Sequence, residues 1–156
     1  MEPSDDPASL ERFVFAQRRS YDTALTELRG GRKQSHWMWY VFPQLRGLGR
    51  SEMSWHYGIA DLDEARSYLA HPVLGPRLAE CGAAVLAHAG TPAEAIMGSV
   101  DAGKLRSSMT LFAAIEGAPP VFDRILDQFY GGRRCPRTLD RIGKSQRDED
   151  NPRRQS

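Results

Sequence analysis

The sequence predicts an all-α fold, a single compact multihelical domain of about six to eight short helices over residues 8–142. Three observations carry this expectation. Apolar residues recur at helical spacings of three, four and seven in several segments. Those segments are bounded by capping residues, glycines and prolines where helices use them. No stretch sustains the alternation of apolar and polar residues, with β-branched side chains, that a half-buried strand needs. At 156 residues the chain is long enough to bury a core without a metal or disulfide.

The elements follow in order. Leu10, Phe13, Val14, Tyr21, Leu25 and Leu28 form an amphipathic stripe that Asp6-Pro7 or Ser9 opens and Gly30-Gly31 ends. Ser35 stands as N-cap for the aromatic run SHWMWYVFPQL, and Pro43 stops any helix there. Residues 44–54, with Gly47 and Gly49, read as a loop. Asp61 and Glu64 form a capping-box start for a helix that runs into His71-Pro72. A helix from about Pro72 to His88 follows, closed by Gly90. Thr91-Pro92-Ala93-Glu94 opens a short helix ending at Gly98, and Asp101 caps the next, whose stripe is Leu105, Met109 and Phe112. Pro119-Pro120 separates it from Val121–Tyr130, which Gly131-Gly132 ends. Beyond Ile142 the chain is polar without an apolar anchor, so 143–156 reads as a disordered tail and 1–7 as an N-terminal arm.

Composition excludes several functions. With 21 basic and 20 acidic residues the net charge is +1, so no overall field gathers nucleic acid, and none is expected as a partner. The apolar runs are too short for a membrane span, and the N-terminus MEPSDDPASLERF lacks a basic stretch followed by an apolar one. A cytoplasmic protein without membrane association is expected. Cys81 and Cys135 have no CxxC partner, which argues against a zinc knot or disulfide framework. The four histidines show no helical i, i+4 pair, so neither a metal nor a cofactor is expected.

The run at 35–45 holds two of the three tryptophans together with His36, Tyr40 and Phe42. On a helix Trp37, Tyr40 and Val41 share one face, while His36, Trp39 and Pro43 share another. Both faces are aromatic, so the segment is either a core helix or the wall between core and cleft. In the second case His36, Trp37, Trp39 and Tyr40 are ligand-binding candidates.

The run DAGKLRSSMTLF, residues 101–112, is the second constellation. Lys104, Arg106, Ser107 and Ser108 gather two cations and two hydroxyls near a helix start, where backbone N–H groups and the dipole favour a phosphate or carboxylate. A polar helix face with a Lys-Asp pair is the plainer reading of the same residues. A Ser108-Lys104 dyad would require a desolvated lysine, and a nucleophilic Cys81 has no supporting local motif. No catalytic residue is assigned.

Taken together, LERFVFAQ, ELRGGRKQSHWMWYVFPQLRGLGRS, YGIADLDEARSYLAHPVLGPRL, KLRSSMTLFA and FYGG resemble the domain-of-unknown-function family 1810, small bacterial and fungal proteins sometimes mislabelled calpastatin. The resemblance spans about residues 8–142 and implies a single, mostly helical domain, with no activity attached. Where the family pattern reads near IFGSPDDLK, this chain has IMGSVDAGK, so Gly103 is expected to loosen the start of the Lys104 helix. It also has RRCPRTLD after FYGG in place of an acidic or polar segment. A fold-level analogy links the chain to helical NADAR-type proteins, which cleave N-glycosidic bonds. That analogy implies stacking on Trp37 or Trp39, a phosphate on Lys104 or Arg106, and water activation by Asp101 or Glu64.

The expected function is therefore a polar-aromatic pocket for a phosphorylated or nucleotide-like small molecule, with hydrolysis open. The alternative is a non-catalytic protein-interaction domain whose aromatic cluster is core. No protein partner is specified by the sequence.

Overall fold

The structure, a computed structural model, describes residues 6–149. Nine helices and no strand occur among them: α1 Glu11–Arg29, α2 Met38–Val41, α3 Glu52–His56, α4 Leu62–Ala70, α5 Leu74–Leu86, α6 Ala93–Met97, α7 Ser99–Ala113, α8 Val121–Tyr130 and α9 Pro136–Glu149. The all-α expectation holds. Among the described residues no helix is long and apolar enough to cross a membrane.

Helix α7 is the centre, packed against α4, α6, α8 and α9, while α5 lies against α1, α4 and α8. From Leu105 to Phe112 every α7 residue except Arg106 is buried. The helix is therefore covered over most of its circumference, and two of its hydroxyls lie against carbonyls one turn back: Ser107 Oγ is 3.2 Å from the Gly103 carbonyl and Thr110 donates to that of Arg106. The edge-on contact of Phe13 with Tyr68, and the tilted contacts of Phe112 with Tyr68 and Phe122, join the helices across this core.

One buried cation ties the N-terminal half together. Arg12 is fully buried. Its guanidinium donates to the carbonyls of Ser9, His56 and Gly58 at 2.6, 2.8 and 2.9 Å and to Glu64 Oε1 at 2.9 Å. It thus fastens α1 to the end of α3 and the start of α4.

The start signals divide. Asp61 accepts the Glu64 N–H at 2.8 Å, as a capping box requires. His71 accepts the N–H groups of Val73 and Leu74 on Nδ1 and so opens α5. Ser35 is not an N-cap, because its hydroxyl donates to Glu27 and α2 begins only at Met38. Thr91 does not cap α6, whose first flanking residue is Pro92. The 44–54 loop contains the start of α3, capped by Ser51 on the Ser54 N–H at 3.0 Å. Five residues are too few to show a helical period.

The described residues extend past 8–142 at both ends. Helical backbone continues in α9 through Glu149, within the stretch whose polarity suggests a disordered tail. Pro136 starts that helix, and the apolar pair Leu139 and Ile142 is too short a signal to reveal it. Asp6 and Pro7 belong to the fold: Asp6 accepts the Ala8 N–H, and the Pro7 carbonyl accepts from Arg46. The rest of the arm and tail, 1–5 and 150–156, lies outside the described residues.

Gly75 is required by close packing, since a Cβ there would lie 2.1 Å from the Leu69 carbonyl oxygen. Gly75→Ala is expected to cost about 1–3 kcal/mol, measured by denaturant unfolding. Unchanged stability would mean that the α4-α5 junction moves freely.

Candidate functional site

The segment between α1 and α2 is held by one carboxylate. Glu27, on the last turn of α1, accepts from the N–H groups of Gln34 and Ser35 at 2.7 and 2.9 Å, from the Ser35 hydroxyl at 2.6 Å and from the Trp37 indole N–H at 3.0 Å. Burial alone would raise its pKa. The hydrogen bonds from Ser35, Gln34 and Trp37 outweigh burial and hold the carboxyl at about 2.

This clamp sets the two tryptophans apart. Trp37 is 1% exposed and Tyr40 9%, so both are core residues. Trp39 is half-buried and packs on the core edge, and its indole nitrogen is buried without a hydrogen-bond partner. His36 is exposed. The two faces of the aromatic run therefore separate as core and rim.

Lys33 follows from the same clamp. Its backbone N–H donates to the Ile96 carbonyl at 2.7 Å, which draws the segment onto α6. Its ammonium lies 2.9 Å from Asp101 Oδ2 and 5.0 Å from the centre of the Trp37 ring. Lys104, one turn further along α7, lies 3.7 Å from Asp101 Oδ1 and 5.2 Å from the Trp39 ring centre. Two ammonium groups, each over an indole, thus flank one carboxylate. Trp39 and Lys104 also line a cleft of about 10 Å³ with Phe42, Gln44, Ser54 and Tyr57. That volume admits one water-sized group and no nucleotide ring.

The other α7 candidates lie elsewhere. Arg106 donates to the carbonyls of Arg133 and Arg134 at 2.7 and 2.9 Å, so it braces the turn before α9. Ser107 donates to Cys135 Sγ at 3.3 Å. Burial raises the Cys135 thiol, but the hydroxyls of Ser107 and Thr138 and the N–H groups of Thr138 and Arg137 favour the thiolate more, and its pKa falls below the ordinary value. Ser108 is fully buried and its hydroxyl has no partner, so it forms no dyad with Lys104. Cys81 is buried, and burial pushes its thiol up to about 12, which removes it as a nucleophile at neutral pH. Glu64 is engaged by Arg12, and Asp61 caps α4.

Of the residues expected in a site, the structure brings together Trp39 and Lys104, while Trp37 lies in the core under Lys33, with Asp101 between the lysines. It places His36 at the surface, Tyr40 and Ser108 in the core, and Arg106 and Ser107 at the α7-α9 contact. Glu27 and Lys33 are the residues that sequence reasoning missed. Lys33 carries a faint signal, a cation just before an aromatic run; Glu27 on a helical last turn carries none.

Residues 7–142 match the family described as protein of unknown function, DUF1810. The chain belongs to the DUF1810 family. A crystal structure of the conserved hypothetical protein Rv1873 from Mycobacterium tuberculosis is similar to this DUF1810 chain, at 49% identity. The match covers 88% of this chain and 99% of that one, with a TM-score of 0.86. No curated protein matches the chain. In this DUF1810 member Gly103 does not loosen the helix: α7 runs unbroken from Ser99 to Ala113, with Gly103 exposed on its surface. The residues RRCPRTLD supply the carbonyls that Arg106 binds and the first turn of α9.

Proposed function

We propose that the chain binds a phosphorylated or nucleotide-like small molecule at the Trp39-Lys104 rim. One observation carries this reading: Lys104 lies over the Trp39 ring in a partly enclosed place and reaches its carboxylate, Asp101, only at 3.7 Å, because Asp101 is held at 2.9 Å by Lys33. An anionic group of the ligand would pair with this loosely held ammonium, and its ring would lie on Trp39. Because the cleft admits only one water-sized group, the ring stays at the rim while the Lys104 side chain swings to meet the anion. Asp101 is the carboxylate beside Lys104, so any hydrolysis falls to it. The place of action would be the cytoplasm, in keeping with an ordinary soluble composition and two free thiols.

A non-catalytic interaction domain is the second reading, favoured by the burial of Trp37 and Tyr40 in the core. One screen separates the two. The purified protein is heated with nucleotides, ADP-ribose, NAD, flavins and sugar phosphates. A ligand at a hundred times its dissociation constant adds about 2.7 kcal/mol of stability, which raises the melting temperature by roughly 5–10 °C. Lys104→Ala is expected to remove that shift while lowering the stability of the unliganded protein by less than about 1 kcal/mol, because the Lys104-Asp101 pair is long and partly exposed. A flat response across the panel sinks the small-molecule reading.

A further inference from the structure

This inference rests on the small-molecule reading above and concerns how that site is controlled. The two lysines are not equivalent. The Lys33 side chain is 7% exposed, and its ammonium holds Asp101 Oδ2 at 2.9 Å, donates to the Ser35 carbonyl and rests on Trp37. All its interactions are internal. The Lys104 side chain is 23% exposed, lines the cleft and reaches Asp101 Oδ1 only at 3.7 Å, beyond hydrogen-bond distance. Among the described residues Asp101 is its anionic partner. One carboxylate therefore gives a short, enclosed contact to Lys33 and a long, open one to Lys104.

We propose that Asp101 is a built-in competitor for the ligand's anionic group, tethered by Lys33, so that binding exchanges one anion for another on Lys104. An arriving phosphate oxygen replaces the long Asp101 contact with a direct one, while Lys33 keeps Asp101 from following Lys104. The affinity of the site is then set by a residue that need not touch the ligand. Opposite signs follow for the two partners. Asp101→Asn removes the competitor and tightens anion binding. Lys33→Gln releases Asp101 onto Lys104 and weakens it, although Lys33 does not line the cleft.

The test is calorimetric titration of the full chain with AMP, inorganic phosphate and adenosine at fixed salt. Asp101→Asn is expected to tighten AMP and phosphate roughly five- to tenfold and to leave adenosine unchanged. Lys33→Gln is expected to weaken AMP by about fivefold, and the double variant to bind as Asp101→Asn does. Equal or weaker AMP binding by Asp101→Asn overturns the exchange, and so does a Lys33→Gln loss that persists in the double variant, since that marks Lys33 as a direct ligand contact. Asp101→Ser removes the same charge and provides a second folded background, checked by circular dichroism. If no form binds any of the three compounds, the small-molecule reading fails as well. If the wild type binds AMP through Lys104 and Asp101→Asn changes nothing, the exchange alone fails.

Discussion

Replacing Arg12 by alanine will lower the unfolding free energy by about 3–5 kcal/mol, because it leaves the mostly enclosed Glu64 carboxylate without its cation and removes the side-chain donor of three carbonyls. The guanidinium is wholly enclosed. Its five N–H groups form a rigid fork, and here that fork meets Ser9, His56, Gly58 and Glu64 together. For a domain of this size the melting temperature falls by about 10 °C or more. Arg12→Lys should recover little, since an ammonium on a shorter reach cannot serve four acceptors in different directions. Urea unfolding of both variants checks this, and a loss under about 1 kcal/mol would show that the His56 and Gly58 carbonyls find other donors.

Glu27→Ala is expected to cost about 2–4 kcal/mol, because four donors, among them the buried Trp37 indole, converge on that carboxylate. The same group predicts an acid response with a definite sign. Its folded pKa, about 2, lies below the ordinary 4.5. The stability it contributes is therefore fully present above pH 4.5 and is lost as pH falls toward 2. Wild type and Glu27→Gln should differ most near neutral pH, and the gap between their melting temperatures should close over that acid window. A gap that stays constant from pH 6 to pH 2.5 would remove the charge from the explanation and leave only the shape of the side chain. Loss of the clamp also frees residues 34–37, so anion binding at Lys104 should weaken in Glu27→Ala even at temperatures where the domain remains folded.

These two predictions show where local pattern stops being informative. The helices of the core were legible because burial selects one residue in every three or four, and Phe13, Leu28, Leu78, Phe112 and Ile125 advertise that selection directly. Arg12 was not legible. It neighbours Phe13 on a helix and looks like any solvated arginine until α3 and α4 arrive to cover it. The geometry of the candidate site was partly legible: Trp39 and Lys104 stood in the two constellations that the sequence set apart, and Lys104 lies over the Trp39 ring. Arg106, Ser107 and Ser108 stood there too, yet a helix turns 100° per residue, and successive side chains from 104 to 108 therefore serve different neighbours.

By itself the sequence determined the helical class, the order of the longer helices and the aromatic density at 35–45, because periodicity and capping are short-range properties carried by a few adjacent residues. Only the tertiary structure decided which tryptophan is core and which is rim, which lysine is held and which is open, and that a carboxylate on α1 and another on α7 organise them. Those distinctions depend on what packs from elsewhere in the chain, and burial and ion pairing are properties of neighbours in space that spacing along the chain does not encode.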